Sequence, residues 1–349
     1  FFTYNKNFIV FYLPLSHIAE RMLVEMGALY SGGSISFAES LDLFAANLKD
    51  TKPSVFLAVP RIWTKFQMGI LSKMPQKRLN ILLKIPIVNK LIQTKIKQGL
   101  GLDKAKYVLT GAAPLPVATM VWFDKLGIDI CEAYAMTENC AYSHLTRRGN
   151  KKLGTVGTPM PNCEIRIADD GEIQVKNEAI MLEYFKEPEK TQEALTQDGF
   201  LRTGDQGEID ENNFLKITGR VKDIFKTDKG KYVAPAPIEL ELSKNTNIEQ
   251  VCVVGMNLPQ TMALLVLSAE AKALDKAVLE ADLVATMQEV NKKFEKHERM
   301  KKLVVMQEEW TVDNNYITPT LKVKRNILEK DKSPYYEKWY KETNEIIWE

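Results

Sequence analysis

The sequence predicts an α/β protein in which a largely parallel sheet is followed by a smaller α+β domain. Over the first third of the chain, short apolar runs alternate with helical stretches, the pattern of strand–helix crossover units. From residue 154 to 219, short strands lie between turn signals, which indicates an antiparallel or mixed subdomain. After residue 220, strands return around one long helical run. We therefore expect two domains, residues 1–220 and 221–349.

The expected elements can be assigned in chain order. Strands are predicted in the first 134 residues at 8–15, 34–37, 54–60, 106–110 and 128–134. Helices are predicted at 17–33, ending at Gly32 and Gly33, and at 40–53, ending at Pro53. The middle segment has strands at 163–168, 171–176 and 214–218. The last part has strands at 248–256, 262–271 and 302–310 and a helix over 273–299.

Composition excludes several classes of function. The 47 Lys and Arg residues against 45 Asp and Glu give a net charge of +2, so no global field indicates a nucleic-acid partner. The longest uninterrupted apolar run, residues 8–15, is far shorter than the roughly 20 residues of a membrane-spanning helix. The four cysteines have no CxxC spacing, which favours a reducing, cytoplasmic location.

Residues 65–102 are unusual in charge, with eight Lys and Arg residues and no acid, interleaved with aliphatic side chains. A basic amphipathic stretch of this kind can lie on an anionic lipid surface. Alternatively, it is a solvated helical face whose apolar side packs on its own domain. Both interpretations stay open, and the first implies peripheral contact with the inner face of a membrane.

Two segments follow predicted strands of the first domain and suit a nucleotide. TGAAPLP (110–116) places one Gly and two Ala where backbone can approach a flat ligand, although a plain strand-to-helix turn also fits. YAMTEN (134–139) offers an aromatic ring, a hydroxyl and a carboxylate for a base, a phosphate and Mg²⁺. The alternative for YAMTEN is a helix start with Thr137 as the N-cap.

Three later segments carry charges suited to ribose, phosphate and a developing negative charge. In RTGDQGEID (202–210) an Asp lies between glycines and can accept two hydrogen bonds from a ribose diol, or the segment is a turn between strands. TGRVKDIFKTDKGKYVAP (218–235) carries Arg220 at the domain boundary, where a hinge would lie. ITPTLKVKRNIL (317–328) holds a Lys in a polar turn, either a mobile cation or a solvated basic turn.

In this order, GAAP, YAMTE, TGD, GRVKD and PTLKVKR resemble the signature of the adenylate-forming (ANL) superfamily. LPLSHIAERM (13–22), VFLAVPRIWTKF (55–66), GTVGTPMP (154–161) and TLKVKR (320–325) resemble its long-chain fatty acyl-CoA synthetase branch. The resemblance runs from residue 8 to about 330. It implies the adenylate-forming-enzyme fold, with a partial large domain of mixed sheets and flanking helices and a small, mobile C-terminal domain.

The resemblance assigns roles to residues that match the family motifs. For the nucleotide, Gly111, Ala112 and Ala113 would line the adenine pocket, and Tyr134 would stack on the base. Thr137 would hold the α-phosphate, Glu138 would bind Mg²⁺, and Asp205 would take both ribose hydroxyls beside Arg220. Lys322 would be the catalytic lysine, Lys222 the hinge, Gly230 a residue on the pantetheine side, and His17 a residue flanking the acyl and thioester site. His17 could equally be a capping or core histidine. Lys324 and Arg325 are expected in solvent.

The implied activity is ATP-dependent ligation of a long-chain fatty acid to coenzyme A through an acyl-adenylate, with release of AMP and pyrophosphate and with Mg²⁺ as cofactor. The sequence departs from the family at DKGK (228–231), where two glycines or Ser-Gly are usual, and lacks the Ser/Thr/Gly-rich phosphate loop, for which SGGS (31–34) is no substitute. We therefore expect a fragment of the ligase. The alternatives are another adenylate-former, luciferase-like or of the peptide-synthetase type, and a non-catalytic nucleotide- or lipid-surface-binding remnant.

Overall fold

The computed structural model describes residues 8–40, 43–318 and 322–349. The chain separates into two compact units. The first consists of Phe1–Thr203 and Gly207–Ile217, and the second of Gly204–Gln206 and Thr218–Glu349. Each unit has its own buried core, so each is described by itself.

The first unit is built on a seven-stranded sheet with the order β2-β1-β3-β4-β5-β6-β7. Its strands are β1 Phe8–Phe11, β2 Ser34–Phe37, β3 Val55–Ala58, β4 Tyr107–Thr110, β5 Ile130–Tyr134, β6 His144–Leu145 and β7 Thr158–Pro159. The first five strands run parallel, and β6 and β7 are antiparallel additions. The five strands predicted in the first 134 residues are thus confirmed. Their continuous apolar runs are typical of strands covered on both faces.

Helices cover this sheet. They are α1 Gly27–Ser31, preceded by a π-helical stretch Glu20–Met26, then α2 Phe44–Thr51, α3 Pro60–Lys73, α4 Gln76–Lys84, α5 Val88–Leu100 and α6 Val117–Lys125. As predicted, Gly32 ends the first of these in a left-handed conformation (φ 63°). Trp63 is fully buried at the centre of the core, with edge-to-face contacts to Phe56 at 5.5 Å and Phe123 at 5.1 Å.

A four-stranded sheet follows, with the order β11-β10-β9-β8. Its strands are β8 Glu164–Ile167, β9 Glu172–Lys176, β10 Leu201–Ile209 and β11 Leu215–Arg220, with α7 Pro188–Ala194 between β9 and β10. The segment 202–210 is therefore not a turn, because it lies almost wholly within β10. Gly207 explains the misleading signal: a Cβ there would lie 2.7 Å from both Ile173 Cδ1 and the Lys216 carbonyl oxygen. The glycine permits close packing within the sheet rather than a change of direction.

The second unit contains a four-stranded sheet with the order β14-β15-β16-β17 and a hairpin of β12 and β13. The strands are β12 Phe225–Lys226, β13 Tyr232–Val233, β14 Ile248–Val254, β15 Thr261–Leu267, β16 Met300–Val305 and β17 Ile346–Trp348, and the helices are α8 Pro235–Leu242, α9 Lys276–Asn291, α10 Arg325–Lys332 and α11 Tyr336–Lys341. None of the helices within the described residues is long and apolar enough to cross a membrane.

The central strand β15 is buried on both faces and divides the second unit into two cores. Ala263, Leu265 and Leu267 pack with α8 and α9, whereas the alternate residues Met262, Leu264 and Val266 pack with α10 and α11. The sequence did not predict α10, α11 or β17. They are short elements whose apolar faces become recognisable only against the strand that they cover.

Candidate active site

The predicted adenine-binding segment follows β4 directly. Gly111 passes so close to β5 that a Cβ there would lie 3.1 Å from the carbonyl oxygen of Ala133. Ala112 is held in the left-handed region at φ 68°, a strained conformation for a residue with a side chain, and Ala113 is exposed. Because Gly111 and Tyr134 end neighbouring parallel strands, they lie at the same edge of the sheet, where α/β folds bind ligands.

Tyr134 forms the last position of β5 and is 9% exposed. It pairs in register with His144 of β6, and the two rings lie 6.1 Å apart between centroids. Burial and the nearby charge of Arg147 lower the pKa of His144 to about 4, so the imidazole beside Tyr134 is neutral. Stacking of Tyr134 on a base stays a prediction.

Thr137 and Glu138 lie in a single 3₁₀ turn, Thr137–Asn139. The N-cap position of this turn is Met136, so the alternative that Thr137 caps a helix is wrong. Thr137 is exposed, and its hydroxyl is thus available to a ligand. The backbone carbonyl of Glu138 accepts a hydrogen bond from the Met181 N–H at 2.7 Å, which fixes the turn against the segment before α7.

The side chain of Glu138 has a partner that the sequence did not indicate. The phenol of Tyr184 donates a 2.7 Å hydrogen bond to Glu138 Oε1. Burial and the carboxylate together raise the pKa of Tyr184 to about 12. The two residues are far apart in sequence, so their contact can be recognised only in the folded structure, where their loops are neighbours.

The donor set at this turn fits Mg²⁺. A carboxylate and a hydroxyl are hard oxygen ligands, and Mg²⁺ is usually bound through one or two carboxylates together with substrate phosphates and water. No three His, Cys, Asp or Glu side chains converge as a metal site within residues 8–40, 43–318 and 322–349. Binding of Mg²⁺ by Glu138 stays a prediction.

Glu132 is a further buried acid at this edge that sequence reasoning missed. Burial raises its pKa to about 7, and the Leu115 N–H donates to its Oε1 at 3.3 Å. Thr110 pairs with it in register, and the buried Thr110 hydroxyl has no hydrogen-bond partner. The available signal was a charged residue inside the apolar strand ICEAY.

His17 lies at the beginning of the first helical segment. Its Nδ1 accepts a hydrogen bond from the Ala19 N–H at 3.2 Å, and its carbonyl accepts one from the Glu20 N–H at 3.0 Å. This local geometry matches the capping alternative. The predicted catalytic role of His17 stays a prediction.

Three predicted residues come together within the second unit. Arg220 Nε donates to Oδ1 of the buried Asp205 at 3.0 Å. The backbone of Lys322 is hydrogen-bonded twice to Thr318: its N–H donates to Thr318 Oγ1, and its carbonyl accepts from the Thr318 N–H. Loss of water around the ammonium lowers the pKa of Lys322, Arg220 lowers it further, and Asp205 acts in the opposite direction. The residue as a whole remains exposed.

The other predicted positions of the second unit lie near its start. Lys222 is in a 3₁₀ turn, Val221–Asp223, directly after β11. Gly230 adopts φ 71° in the turn between β12 and β13, where a Cβ would meet open space. A glycine is thus favoured by the backbone conformation rather than by crowding.

The expectation that Arg325 stays in solvent is wrong. Its side chain is only 13% exposed and pairs with Glu239, while Asp223 lies 3.7 Å from its Nε. Its Nη1 also donates to the carbonyl of Val253. Three carbonyl or carboxylate partners around one guanidinium make it the centre of a network, as expected for the planar fork of arginine. Lys324 is partly buried and donates to Asn315.

Comparisons with known proteins agree with this arrangement. Residues 2–185 match the family model described as AMP-binding enzyme, and residues 222–343 match that of the AMP-binding enzyme C-terminal domain. Long-chain-fatty-acid–CoA ligase 5 of Rattus norvegicus is 32% identical over 379 residues, covering 93% of this chain and 54% of the relative. Putative fatty-acid–CoA ligase fadD11 of Mycobacterium tuberculosis is 30% identical over 374 residues, covering 94% and 66%.

Among solved structures, the A domain of carboxylic acid reductase from Segniliparus rugosus, in complex with AMP and a co-purified carboxylic acid, matches with a TM-score of 0.78. It is 22% identical, and the match covers 96% of this chain and 54% of that chain. The adenylate-forming fold is thus confirmed. The chain spans about half the length of the rat relative. Because the first family model alone matches more than half of its residues, the chain belongs to the AMP-binding enzymes of the adenylate-forming (ANL) superfamily.

Proposed function

We propose that the chain carries the AMP-binding and C-terminal parts of a long-chain fatty acid–CoA ligase. The observation that carries the proposal is the ion pair of Arg220 with the buried Asp205 in the second unit, whose charges also act on the pKa of Lys322. A lysine, an arginine and a carboxylate in one place suit a nucleotide, because ribose needs acceptors and phosphates need cations. The 32% identity to a long-chain-fatty-acid–CoA ligase supports the choice of acid and acceptor.

In the first half-reaction a fatty carboxylate oxygen attacks the α-phosphorus of ATP and the bond to pyrophosphate breaks. The demand on the protein is positioning and neutralisation of charge. The Lys322 ammonium would approach the oxygens that gain negative charge and stabilise them in the transition state. The Thr137 hydroxyl would donate a hydrogen bond to the α-phosphate. Mg²⁺, held by Glu138 and the phosphates, would supply further positive charge there.

In the second half-reaction the thiol of coenzyme A gives its proton to solvent and its sulfur bonds to the acyl carbon. The bond from that carbon to the phosphate oxygen of AMP breaks, and AMP leaves. The segment around Gly230 would receive the pantetheine arm, since its turn is open to solvent. Between the two half-reactions the C-terminal domain would rotate, so that Lys322 leaves the reacting atoms and the surface around Gly230 takes its place. The backbone of Lys222 would be the hinge of this rotation. Asp205 would hold the ribose hydroxyls and Tyr134 the base, beside Gly111, Ala112 and Ala113.

We also propose a reducing, cytoplasmic location. All four cysteines, Cys131, Cys140, Cys163 and Cys252, carry free thiols. Scattered free thiols are typical of proteins kept in a reducing compartment.

The test is ATP–pyrophosphate exchange with palmitate on the full-length protein, comparing Lys322→Ala with Lys324→Ala. Loss of the adenylation cation should lower exchange by about 100-fold, while thioester formation from preformed acyl-adenylate survives. Lys324→Ala removes a neighbouring cation of the same segment and should retain exchange. Equal exchange in wild type and Lys322→Ala, or none with any carboxylate from acetate to palmitate, would contradict the proposal.

A further inference from the structure

One surface of the first unit combines exposed aliphatic side chains with exposed lysines. It lies on α4, α5 and the turn that joins them. We define it as the α4–α5 surface, made of Lys77, Ile81, Lys84, Ile85, Ile87, Lys90, Leu91 and Lys95. All eight residues are exposed.

Packing on the domain's own core accounts for only part of this helix pair. Leu79 is buried, and Leu83, Ile92 and Ile96 pack partly against the core around Trp63. By contrast, Ile81, Ile85, Ile87 and Leu91 are 62%, 42%, 76% and 57% exposed. Packing of the apolar side on the domain's own core therefore explains the buried and partly buried residues of the two helices. It does not explain the four exposed aliphatic residues.

The exposed aliphatic residues are arranged in order along the hairpin. Lys77, Ile81 and Lys84 recur at helical spacing and share one face of α4, and Ile85 follows directly after the helix in an extended conformation. At the apex, Ile87 has φ 71° and ψ −52°, and the Val88 N–H donates to the Pro86 carbonyl at 2.8 Å. This is a γ-turn, a strained conformation that is rare for a β-branched residue. The fold thus holds a large aliphatic side chain in water at the tip.

The charges around these side chains have one sign. Residues 65–102 carry eight cations and no acid, whereas the whole chain is +2, so the rest of the chain carries a net −6. Within the described residues none of the eight cations forms an ion pair with a carboxylate. The α4–α5 surface therefore lies in a positively charged segment of a chain whose remaining residues have a net negative charge.

We propose that the α4–α5 surface docks on an anionic lipid bilayer, with the aliphatic side chains among the upper acyl groups and the lysines at the headgroup phosphates. Charge complementarity and exposed aliphatic area together are what such docking requires. A nucleic acid fits less well, because binding surfaces for single strands use aromatic side chains on which bases stack. Residues 77–95 contain no aromatic residue and one arginine.

The test is co-sedimentation of the full chain with vesicles of phosphatidylcholine alone and of phosphatidylcholine mixed with phosphatidylserine. The chain should bind the mixed vesicles and be released as salt rises towards about 1 M, where the screening length falls to about 3 Å. K84E/K90E should lower the affinity for mixed vesicles by about tenfold or more, since each charge near the surface contributes to attraction. I81Q/I87Q should weaken binding and leave its salt dependence unchanged.

Matched controls lie in the second unit. K330E/K338E makes the same change in charge at two exposed lysines, and V278Q replaces another exposed aliphatic side chain. Both should bind as wild type does, and all variants should keep the wild-type thermal midpoint. If K84E/K90E does not fold, I81Q/I87Q decides. The proposal fails if wild type does not bind the mixed vesicles, or if the control variants lose as much binding as K84E/K90E and I81Q/I87Q. It also fails if K84E/K90E and I81Q/I87Q bind vesicles as wild type does and lose only affinity for an RNA homopolymer.

Discussion

The phenol of Tyr184 donates a 2.7 Å hydrogen bond to Oε1 of Glu138, although 46 residues separate the two in the chain. The pKa of Tyr184 is raised to about 12, so the phenol keeps its proton and remains a donor at neutral pH. One carboxylate oxygen is thereby fixed, and the other remains for a ligand. Hydrogen bonds of this kind orient metal-binding side chains and tune their affinity.

We predict that Tyr184→Phe raises the Mg²⁺ concentration needed for half-maximal ATP–pyrophosphate exchange. The ring remains, but the carboxylate loses its fixed orientation, and such losses weaken metal affinity by about tenfold. Titration of exchange activity with Mg²⁺ in the full-length protein measures the change. Tyr142→Phe is the control, because the Tyr142 hydroxyl donates to the Pro161 carbonyl instead. An unchanged Mg²⁺ requirement in Tyr184→Phe would show that the phenol does not position Glu138.

The pKa values of Glu132 and His144 predict opposing pH dependences of stability. Glu132 keeps its proton up to about pH 7 in the fold but only to 4.5 when unfolded, so its contribution to stability is lost as pH rises from 4.5 to 7. The pKa of His144 is about 4 in the fold and 6.5 when unfolded, so its contribution is lost as pH falls from 6.5 to 4. The two slopes partly cancel in the wild type.

Glu132→Gln should separate these slopes. The amide can still accept the Leu115 N–H, and the variant should be more stable than wild type at pH 8 by about 2 kcal/mol, since a buried charge no longer forms. Its stability should rise more steeply than that of wild type from pH 4 to 6.5, because the opposing contribution of Glu132 is gone and that of His144 remains. Urea unfolding at several pH values measures both, with the exposed Glu164→Gln as control. Coincident curves for Glu132→Gln and wild type would contradict the assignment.

Arg325→Ala should destabilise the second unit by about 3 kcal/mol, because Glu239 would be left as an uncompensated, largely buried charge. Arg325→Lys should be intermediate, since it keeps the charge and loses the planar fork. Urea unfolding followed by circular dichroism measures the loss. Lys330→Ala, an exposed position on the same helix, should change stability by less than about 0.5 kcal/mol. A loss no larger than that of Lys330→Ala would return Arg325 to the solvated role that the sequence suggested.

The sequence predicted those parts of the fold whose signal is local. The parallel strands have continuous apolar runs, and Gly32 and Pro53 mark the ends of the helices that cover them. Gly207 misled because a turn and a close strand contact both need a residue without a side chain. Tyr184 and Glu132 were missed for different reasons: the first acts through a partner in another loop, and the second has a pKa that is set by its burial.

The candidate motifs were predictable because each is a short run of residues with a fixed order. The relation between them was not, since it depends on packing at long range. Lys322 illustrates this limit: the sequence shows a lysine in a polar turn, whereas the fold places its charge under the influence of Asp205 and Arg220, about a hundred residues earlier. The local sequence pattern therefore identifies the candidate site residues, whereas the tertiary structure determines their pKa values.

The guanidinium of Arg325 ties the first residues of α10 to Asp223, the residue after Lys222. Lys322 lies three residues before Arg325 in the same segment. This ion pair therefore links the proposed hinge residue to the segment of Lys322 by a path much shorter than the roughly hundred intervening residues. Loss of that ion pair would leave the charge of Lys322 intact and its position less well defined.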